Sequence, residues 1–184
     1  MLEIKKYAAI DIGSNAVRLL IANIIIDGDN PVRFKKNSLV RVPIRLGADV
    51  FVNQNISSEN AERMIDTMQA FKLLMKSHKV EKYKACATSA MREASNGKEL
   101  SKTIEKETGV IIDIIEGEEE AAIIAATDLH SFIDENKTYL YVDVGGGSTE
   151  FTVINNGVSV ASKSFKIGTV RLLNDIVSRE TWDN

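Results

Sequence analysis

The sequence predicts an α/β protein that contains one complete domain, with element order β-β-β-α-β-α-β-α, and the beginning of a second domain. The first observation is an internal repeat. An apolar run, an acidic residue, a tight turn rich in Gly or Ser and another β-prone run occur twice, around residues 7–26 and 139–154. The second observation is that segments with helical spacing alternate with short β-prone runs between the two copies. Such alternation is typical of α/β folds.

The first half of the chain contains the elements of a complete domain. Two β-prone runs meet at the turn Gly13-Ser14-Asn15, and a turn signal at residues 27–31 precedes a third run. Helices and strands then alternate, because apolar residues recur first at helical spacing and then in continuous runs. We expect strands at about 7–10, 17–26, 32–42, 83–87 and 110–115, helices at about 58–77, 98–108 and 118–129, and a short helix capped by Thr88 and Ser89.

The second half of the chain begins the same plan again. The polar stretch 134–137 is the natural boundary, so we expect a first domain at residues 1–133 and an incomplete second domain at residues 134–184. Because the later elements of the second unit are missing, we expect the chain to be part of a longer protein. The second domain should contain strands at about 138–144, 149–155 and 158–167 and a helix from about Thr169.

Composition and charge indicate a soluble globular protein. The 184 residues are 44% hydrophobic and 27% charged, and the net charge of -3 argues against a nucleic-acid binder, whose surface is usually basic. Cys86 is the only cysteine, so no disulfide can form within the chain. The N-terminus lacks the apolar core of a signal peptide, and no apolar run approaches the ~20 residues of a membrane span. We therefore expect a cytoplasmic protein with no nucleic-acid partner and no membrane partner.

The two repeated turns indicate a cleft that holds phosphate and a metal ion. Glycine lets the backbone approach a ligand closely, and successive free N–H groups in such a turn bind anions. Three consecutive glycines, at residues 145–147, cost backbone entropy, so a simple hairpin turn explains them poorly. The acidic residues at the strand ends, Asp11 and Asp143, suit a hydrated Mg²⁺, which prefers one or two carboxylates together with phosphate oxygens.

Five segments occur in an order that resembles a known family. They are residues 11–19 (DIGSNAVRL), 45–47 (RLG), 87–92 (ATSAMR), 117–121 (GEEEA) and 143–150 (DVGGGSTE), and residues 166–172 are also similar. The resemblance is to the exopolyphosphatase/guanosine pentaphosphate phosphohydrolase family, which has the ribonuclease-H-like, actin-type ATPase fold of the actin, Hsp70 and sugar-kinase superfamily. Two positions depart from the family's pattern, since Ala16 and Glu116 stand where it usually has Ser. Family members also continue well beyond the length of this chain.

The resemblance implies a metal-dependent phosphohydrolase. It would release the terminal phosphate of inorganic polyphosphate, the 5′-γ-phosphate of guanosine pentaphosphate, or both, by attack of water. Glu120 matches the family's catalytic glutamate, which orients or deprotonates that water. Asp143 and Glu150 match the carboxylates that hold Mg²⁺ or another divalent cation, and Asp11 is a further candidate for the same ion. The implied phosphate-binding residues are Gly13, Ser14, Asn15, Arg18, Ser89, Arg92, Gly145, Gly146, Gly147 and Ser148.

Several of these side chains also have a simpler explanation. Glu120 lies with Glu118 and Glu119 in the first turn of a predicted helix, where acidic residues complement the helix dipole. These neighbours would raise the pKa of Glu120 and the helix N-terminus would lower it, so the sequence leaves the balance open. Arg92 could form a surface ion pair, and Asp11 could serve only to form the turn.

Two other functions remain open from the sequence. A non-catalytic module that binds phosphate or an alarmone would use the same turns. A sugar or acetate kinase of the same superfamily would need an adenosine pocket, which is generally built from segments that this chain does not contain. The sequence does not distinguish polyphosphate from guanosine pentaphosphate as the substrate. It also leaves open whether the chain is active alone and whether it forms the homodimer that the resemblance allows.

Overall fold

The computed structural model describes residues 2–125, 134 and 136–174, which form eight strands and six helices. The strands are β1 (Leu2–Ile12), β2 (Val17–Asp27), β3 (Arg33–Val42), β4 (Lys82–Ala87), β5 (Asp113–Ile114), β6 (Thr138–Val144), β7 (Thr149–Asn155) and β8 (Val158–Phe165). The helices are α1 (Leu46–Asn53), α2 (Ser58–Ser77), α3 (Ser89–Glu93), α4 (Gly97–Thr108), α5 (Gly117–Ala125) and α6 (Thr169–Leu173).

β1 lies at the centre of a five-stranded sheet with the order β3-β2-β1-β4-β5. The β1–β2 and β2–β3 pairs are antiparallel, whereas the β1–β4 and β4–β5 pairs are parallel. A second sheet, β6-β7-β8, is antiparallel throughout. These two sheets with their connecting helices confirm the predicted α/β fold class.

Two elements differ from the sequence-based expectation. The sequence did not predict α1, which begins directly after β3 and its short connection. The predicted strand at residues 110–115 is only two residues long as β5. Val110 and Ile112 are buried without belonging to that strand. The apolar run there therefore reflects burial in the core rather than strand pairing.

The main core contains side chains from the first sheet and from helices α2 and α4. Alternate positions of β1 and β2 are buried, because successive side chains of a strand point to opposite faces. On α2 the buried positions recur every three or four residues, as expected for one face of a helix. The buried side chains of these elements include Ala8, Ile10, Ile12, Val17, Leu19, Ile21, Met64, Met68, Phe71 and Met75.

The second unit repeats the local geometry of the first. In the β1–β2 turn the N–H of Gly13 donates to the carbonyl oxygen of Ala16 at 3.1 Å, and in the β6–β7 turn the N–H of Gly145 donates to the carbonyl oxygen of Ser148 at 2.9 Å. The third strand of each unit, β3 or β8, is followed by a short helix, α1 or α6. The repeat in the sequence is therefore a structural repeat of strand, turn, strand, strand and helix.

Part of the predicted organisation lies outside the described residues. Residues 126–133 are not described. They include the predicted continuation of α5 to about residue 129 and the stretch beside the predicted domain boundary. The division at residue 133 therefore stays a prediction. Among the described residues, no helix combines the length and the apolar character needed to cross a bilayer.

Truncation of Phe71 to Ala should lower the free energy of unfolding by about 3–5 kcal/mol, because the cavity left in the core would close only in part. Phe71 is 1% exposed. Leu73→Ala is the matched control, since Leu73 lies on the same helix and is 57% exposed; it should change the free energy by less than about 0.5 kcal/mol. Urea-induced unfolding measures both, and equal losses would contradict the assignment of the buried face of α2.

Candidate functional site

A cavity of about 500 Å³ opens where the turns of the two sheets meet. Its walls come from the β1–β2 turn, the β6–β7 turn, β4, the start of α3, and α5. Every site residue predicted from the sequence lines this cavity except Arg92. Those that line it are Asp11, Gly13, Ser14, Asn15, Arg18, Ser89, Glu120, Asp143, Gly145, Gly146, Gly147, Ser148 and Glu150.

The two turns approach each other so closely that the glycines of the second turn have little room for a side chain. A Cβ atom on Gly147 would lie 2.3 Å from Oγ of Ser89 and 2.6 Å from Cζ of Phe51. A Cβ atom on Gly146 would lie 3.1 Å from Cβ of Ser14. The hydroxyl oxygens of Ser14 and Ser89 are 2.9 Å apart and form a buried hydrogen bond. The two turns that the sequence predicts to face each other are therefore in contact.

In the first turn, two carbonyl oxygens are bound by backbone N–H groups at the start of α1. The N–H of Gly47 donates to the carbonyl oxygen of Ser14 at 2.7 Å, and the N–H of Arg45 donates to that of Asn15 at 3.0 Å. Because C=O and N–H of a planar trans peptide point in opposite directions, the N–H groups of Asn15 and Ala16 are turned away from α1.

In the second turn, three successive carbonyl oxygens are bound by α6. The N–H groups of Thr169 and Val170 donate to the carbonyl oxygens of Gly145 and Gly146 at 3.0 and 2.9 Å. The third bond comes from a side chain, since Nε of Arg171 donates to the carbonyl oxygen of Gly147 at 2.7 Å. The N–H groups that share these three peptide planes belong to Gly146, Gly147 and Ser148, and they therefore point away from α6.

These anchored peptides leave a group of free backbone donors at the cavity. Within the described part of the chain, the N–H groups of five turn residues have no hydrogen-bond acceptor, and all five residues line the cavity. Successive backbone N–H groups of this kind form a binding site for anions. The five residues are Asn15, Ala16, Gly146, Gly147 and Ser148.

Glu120 presents a carboxyl group with a shifted protonation equilibrium to the same cavity. Its pKa is raised to about 7, mainly because the group is withdrawn from solvent and then because the negative charge of Glu150 is near. Arg92 opposes this shift, whereas Asp11 and Asp143 add to it. Oε2 of Glu120 is buried and has no hydrogen-bond partner among the described residues. Such a carboxyl group can accept a proton from water near neutral pH.

The three predicted metal ligands line the cavity but differ in their contacts. Asp143 and Glu150 stand opposite each other in the β6–β7 register. Glu150 is 4% exposed and accepts a hydrogen bond from Oγ of Ser164 at 2.7 Å. Oδ2 of Asp11 lies 3.2 Å from Nη1 of Arg18. The pKa of Asp11 is raised, because burial raises it by more than the positive charge of Arg18 lowers it. Within the described residues, no three His, Cys, Asp or Glu side chains form a group that could hold a metal ion.

Arg92 is the predicted phosphate-binding residue that does not line the cavity. Its Nη1 donates to the carbonyl oxygen of Ile115 at 2.5 Å, and its Nε lies 3.7 Å from Oε2 of Glu116. Both partners belong to the segment that leads into α5, and the positive charge of Arg92 lowers the pKa of Glu120. Arg92 therefore binds the segment that precedes α5, the helix that carries Glu120, and does not form part of the cavity wall.

Some cavity residues were not identified from the sequence. Lys84 and Cys86 of β4 line the cavity because β4 pairs with β1, which places them opposite Ala9 and Asp11. Nζ of Lys84 lies 3.7 Å from Oε1 of Glu119. The alternation of side chains in β4 was visible in the sequence, but its position beside β1 depends on the sheet order.

Comparison with known proteins finds relatives over most of the chain. Residues 35–183 match the family model described as the Ppx/GppA phosphatase family. A bifunctional 3-dehydroquinate synthase/phosphatase from Fusobacterium nucleatum is 37% identical over 169 residues, which are 90% of this chain and 25% of that protein. A guanosine-5′-triphosphate,3′-diphosphate pyrophosphatase from Aliivibrio fischeri is 32% identical over 167 residues, which are 91% of this chain and 32% of that protein.

Solved structures of similar sequence share the fold. An exopolyphosphatase from Cytophaga hutchinsonii has a TM-score of 0.83 at 30% identity, over 93% of this chain and 53% of that one. The Aquifex aeolicus member of the Ppx/GppA family has a TM-score of 0.78 at 29% identity, over 98% of this chain and 59% of that one. The chain thus spans less than two thirds of the length of each of these four proteins.

Replacement of Glu120 by Gln should stabilise the fold more at alkaline than at acidic pH. Below the ordinary pKa of 4.5 the carboxyl group is neutral in both the folded and the unfolded chain, so the substitution should change little there. As the pH rises through about 7, the folded chain must ionise a carboxyl group in a buried, negatively charged place, and stability is lost. Thermal unfolding midpoints at about pH 4 and about pH 8.5 measure the difference.

The matched control for this prediction is Glu119→Gln. It removes the same charge from the same helix at a side chain that is 52% exposed. The control should show no gain that grows with pH. Equal shifts of the unfolding midpoint in the two variants at both pH values would contradict the assignment of the raised pKa to Glu120.

Proposed function

The chain belongs to the Ppx/GppA phosphatase family, and on that premise we propose that its cavity is the active site of a metal-dependent phosphohydrolase. The proposed reaction releases the terminal phosphate of inorganic polyphosphate, the 5′-γ-phosphate of guanosine pentaphosphate, or both. The names of the relatives support it, since one is an exopolyphosphatase and another a guanosine-5′-triphosphate,3′-diphosphate pyrophosphatase. Because the chain spans only part of those proteins, the activity, substrates and partners of the whole protein belong to the proposal.

One observation carries this proposal: free backbone donors and a proton acceptor line the same cavity. The five N–H groups of the two turns suit the non-bridging oxygens of a phosphoryl group. Glu120, with its pKa raised to about 7, suits the removal of a proton from water. A site that only bound phosphate would gain nothing from a buried carboxyl group, because its charge repels the anion.

In the proposed reaction, the amides of the turns hold the terminal phosphoryl group and Glu120 orients a water molecule behind it. The water oxygen forms a bond to phosphorus while its proton passes to the carboxylate of Glu120. The bond between phosphorus and the bridging oxygen breaks, and its electron pair stays on that oxygen of the shortened product. Positioning and charge stabilisation account for most of the rate enhancement in reactions of this class.

Asp143, Glu150 and Asp11 would hold Mg²⁺ or another divalent cation. Carboxylate oxygens are the donors that Mg²⁺ prefers, and one or two of them suffice when phosphate oxygens and water complete its shell. The absence of a tighter cluster among the described residues is therefore compatible with this ion. When bound, the ion would neutralise negative charge on the phosphate oxygens. Arg18 would add positive charge beside Asp11.

The main alternative is a non-catalytic module that binds phosphate or an alarmone through the same amides. A sugar or acetate kinase is the other alternative, and none of the four relatives described above is named as a kinase. The homodimer and the cytoplasmic location expected from the sequence stay predictions.

Replacement of Glu120 by Gln should lower the turnover number by about 10²–10⁴-fold, because the attacking water would lose its proton acceptor. Binding of the substrate should change by less than about threefold, since the amides remain in place. Phosphate release from polyphosphate and from guanosine pentaphosphate with Mg²⁺ measures turnover, and calorimetry measures binding. Glu119→Gln should keep the activity of the parent. Turnover retained by Glu120→Gln would contradict the proposed role, whereas binding without turnover in the parent would favour the non-catalytic module.

Addition of Mg²⁺ should lower the pKa of Glu120, because a nearby cation favours the carboxylate form. In the metal-free chain the carboxyl group should titrate near a pKa of about 7. An NMR titration of carbon-labelled Glu120 with and without Mg²⁺ measures the shift without any turnover. A midpoint that stays the same in both conditions would count against a metal ion in this cavity.

A further inference from the structure

Arg171 is a buried cation beside the second phosphate-binding turn, and no role was assigned to it from the sequence. We propose that Arg171 is a positioning residue that fixes the peptide bond between Gly147 and Ser148, so that the N–H of Ser148 stays directed into the cavity. This inference rests on the proposed function, because it explains how the same cavity is kept ready to bind a phosphate group.

The contacts of Arg171 join three parts of the structure. The residue is 7% exposed, and its Nε donates to the carbonyl oxygen of Gly147 at 2.7 Å. Nη2 donates to the two carboxylate oxygens of Glu93 at 2.7 and 2.6 Å. The guanidinium carbon lies 3.8 Å from the centroid of the Phe51 ring. One side chain of α6 therefore links the β6–β7 turn to α1 and α3.

The bond to Gly147 completes a set of three anchored peptides. The first two carbonyl oxygens of the turn are bound by backbone N–H groups of α6, and the third by the side chain of Arg171. Gly147 offers little resistance to rotation of the peptide that follows it, because glycine tolerates most backbone angles. Without Arg171 the carbonyl group could rotate into the cavity. There its partial negative charge would face the phosphate oxygens in place of the N–H of Ser148.

The guanidinium group suits this position for geometrical reasons. Its planar fork supplies Nε and Nη donors at fixed angles, so one residue can bind Gly147 and Glu93 at once. Stacking on Phe51 holds the plane of the fork. Glu93 balances the buried charge and belongs to α3, the helix that begins with Ser89 at the contact between the two turns. The fork is thereby held against the same helix that supports the first turn.

The test removes the ion pair as a unit, because replacement of Arg171 alone would leave Glu93 without its partner and could prevent folding. The double variant R171M/E93Q removes both charges of this pair and the donor to Gly147, whereas E93Q keeps that donor and leaves Arg171 an amide oxygen as acceptor. Thermal unfolding is measured first, to check that both variants fold. Binding of inorganic tripolyphosphate with Mg²⁺, measured by calorimetry, should weaken by about tenfold or more in the double variant and by less than about threefold in E93Q. Parent-like binding by the double variant would overturn the proposal, since it would show that the pair is only structural.

A second measurement needs no ligand. In the double variant, the amide signals of Gly147 and Ser148 should show exchange on the microsecond-to-millisecond timescale in nitrogen relaxation-dispersion NMR, and in the parent and E93Q they should not. Unchanged signals in the double variant would overturn the role of Arg171. Failure of the parent to bind tripolyphosphate would instead count against the proposed function, and the amide signals would still decide the role of Arg171.

Discussion

The direction of the backbone donors at the cavity depends on the planarity of the peptide group. A peptide whose carbonyl oxygen is bound on one side must present its N–H to the other side. The starts of α1 and α6 supply the donors, because the first N–H groups of a helix have no partner within the helix. They bind the carbonyl oxygens of the two turns, and five N–H groups of the turns have no acceptor among the described residues. This exchange of partners thus satisfies N–H groups at the starts of two helices and provides the donors that the proposed phosphate site would use.

Close approach of the backbones is the second condition for this exchange. A Cβ atom on Gly168, just before α6, would lie 2.3 Å from the carbonyl oxygen of Gly146 and 2.5 Å from the nitrogen of Gly147. Both neighbours are backbone atoms, so a side chain at this position could not be accommodated by a change of rotamer. Gly168 is therefore required by the short distance between the start of α6 and the turn.

The sequence predicted the fold class and the repeat, and all but one of the predicted site residues line the cavity, because these features are carried by local patterns. Features that depend on contacts between distant residues could not be predicted from the sequence. From the sequence, the opposed effects of the neighbouring glutamates and of the helix N-terminus left the pKa of Glu120 open, whereas in the structure burial and Glu150 raise it most. Arg92 stays a predicted phosphate-binding residue, and its hydrogen bond to the carbonyl oxygen of Ile115 is a contact that the sequence did not indicate. Arg171 lies in the similar stretch 166–172, but no role could be assigned to it from the sequence, because its partners lie on elements whose packing the sequence does not specify.

The carboxyl groups of the cavity act on one another, and this bears on how the proposed enzyme would be controlled. Glu150, Asp11 and Asp143 each raise the pKa of Glu120 through their negative charge. A divalent cation held by those same residues would cancel that effect and release the proton of Glu120. By linkage, ionisation of Glu120 would in turn strengthen the binding of the cation. In the proposed mechanism, the proton acceptor would therefore become active chiefly when the cation that accompanies the phosphate chain is in place.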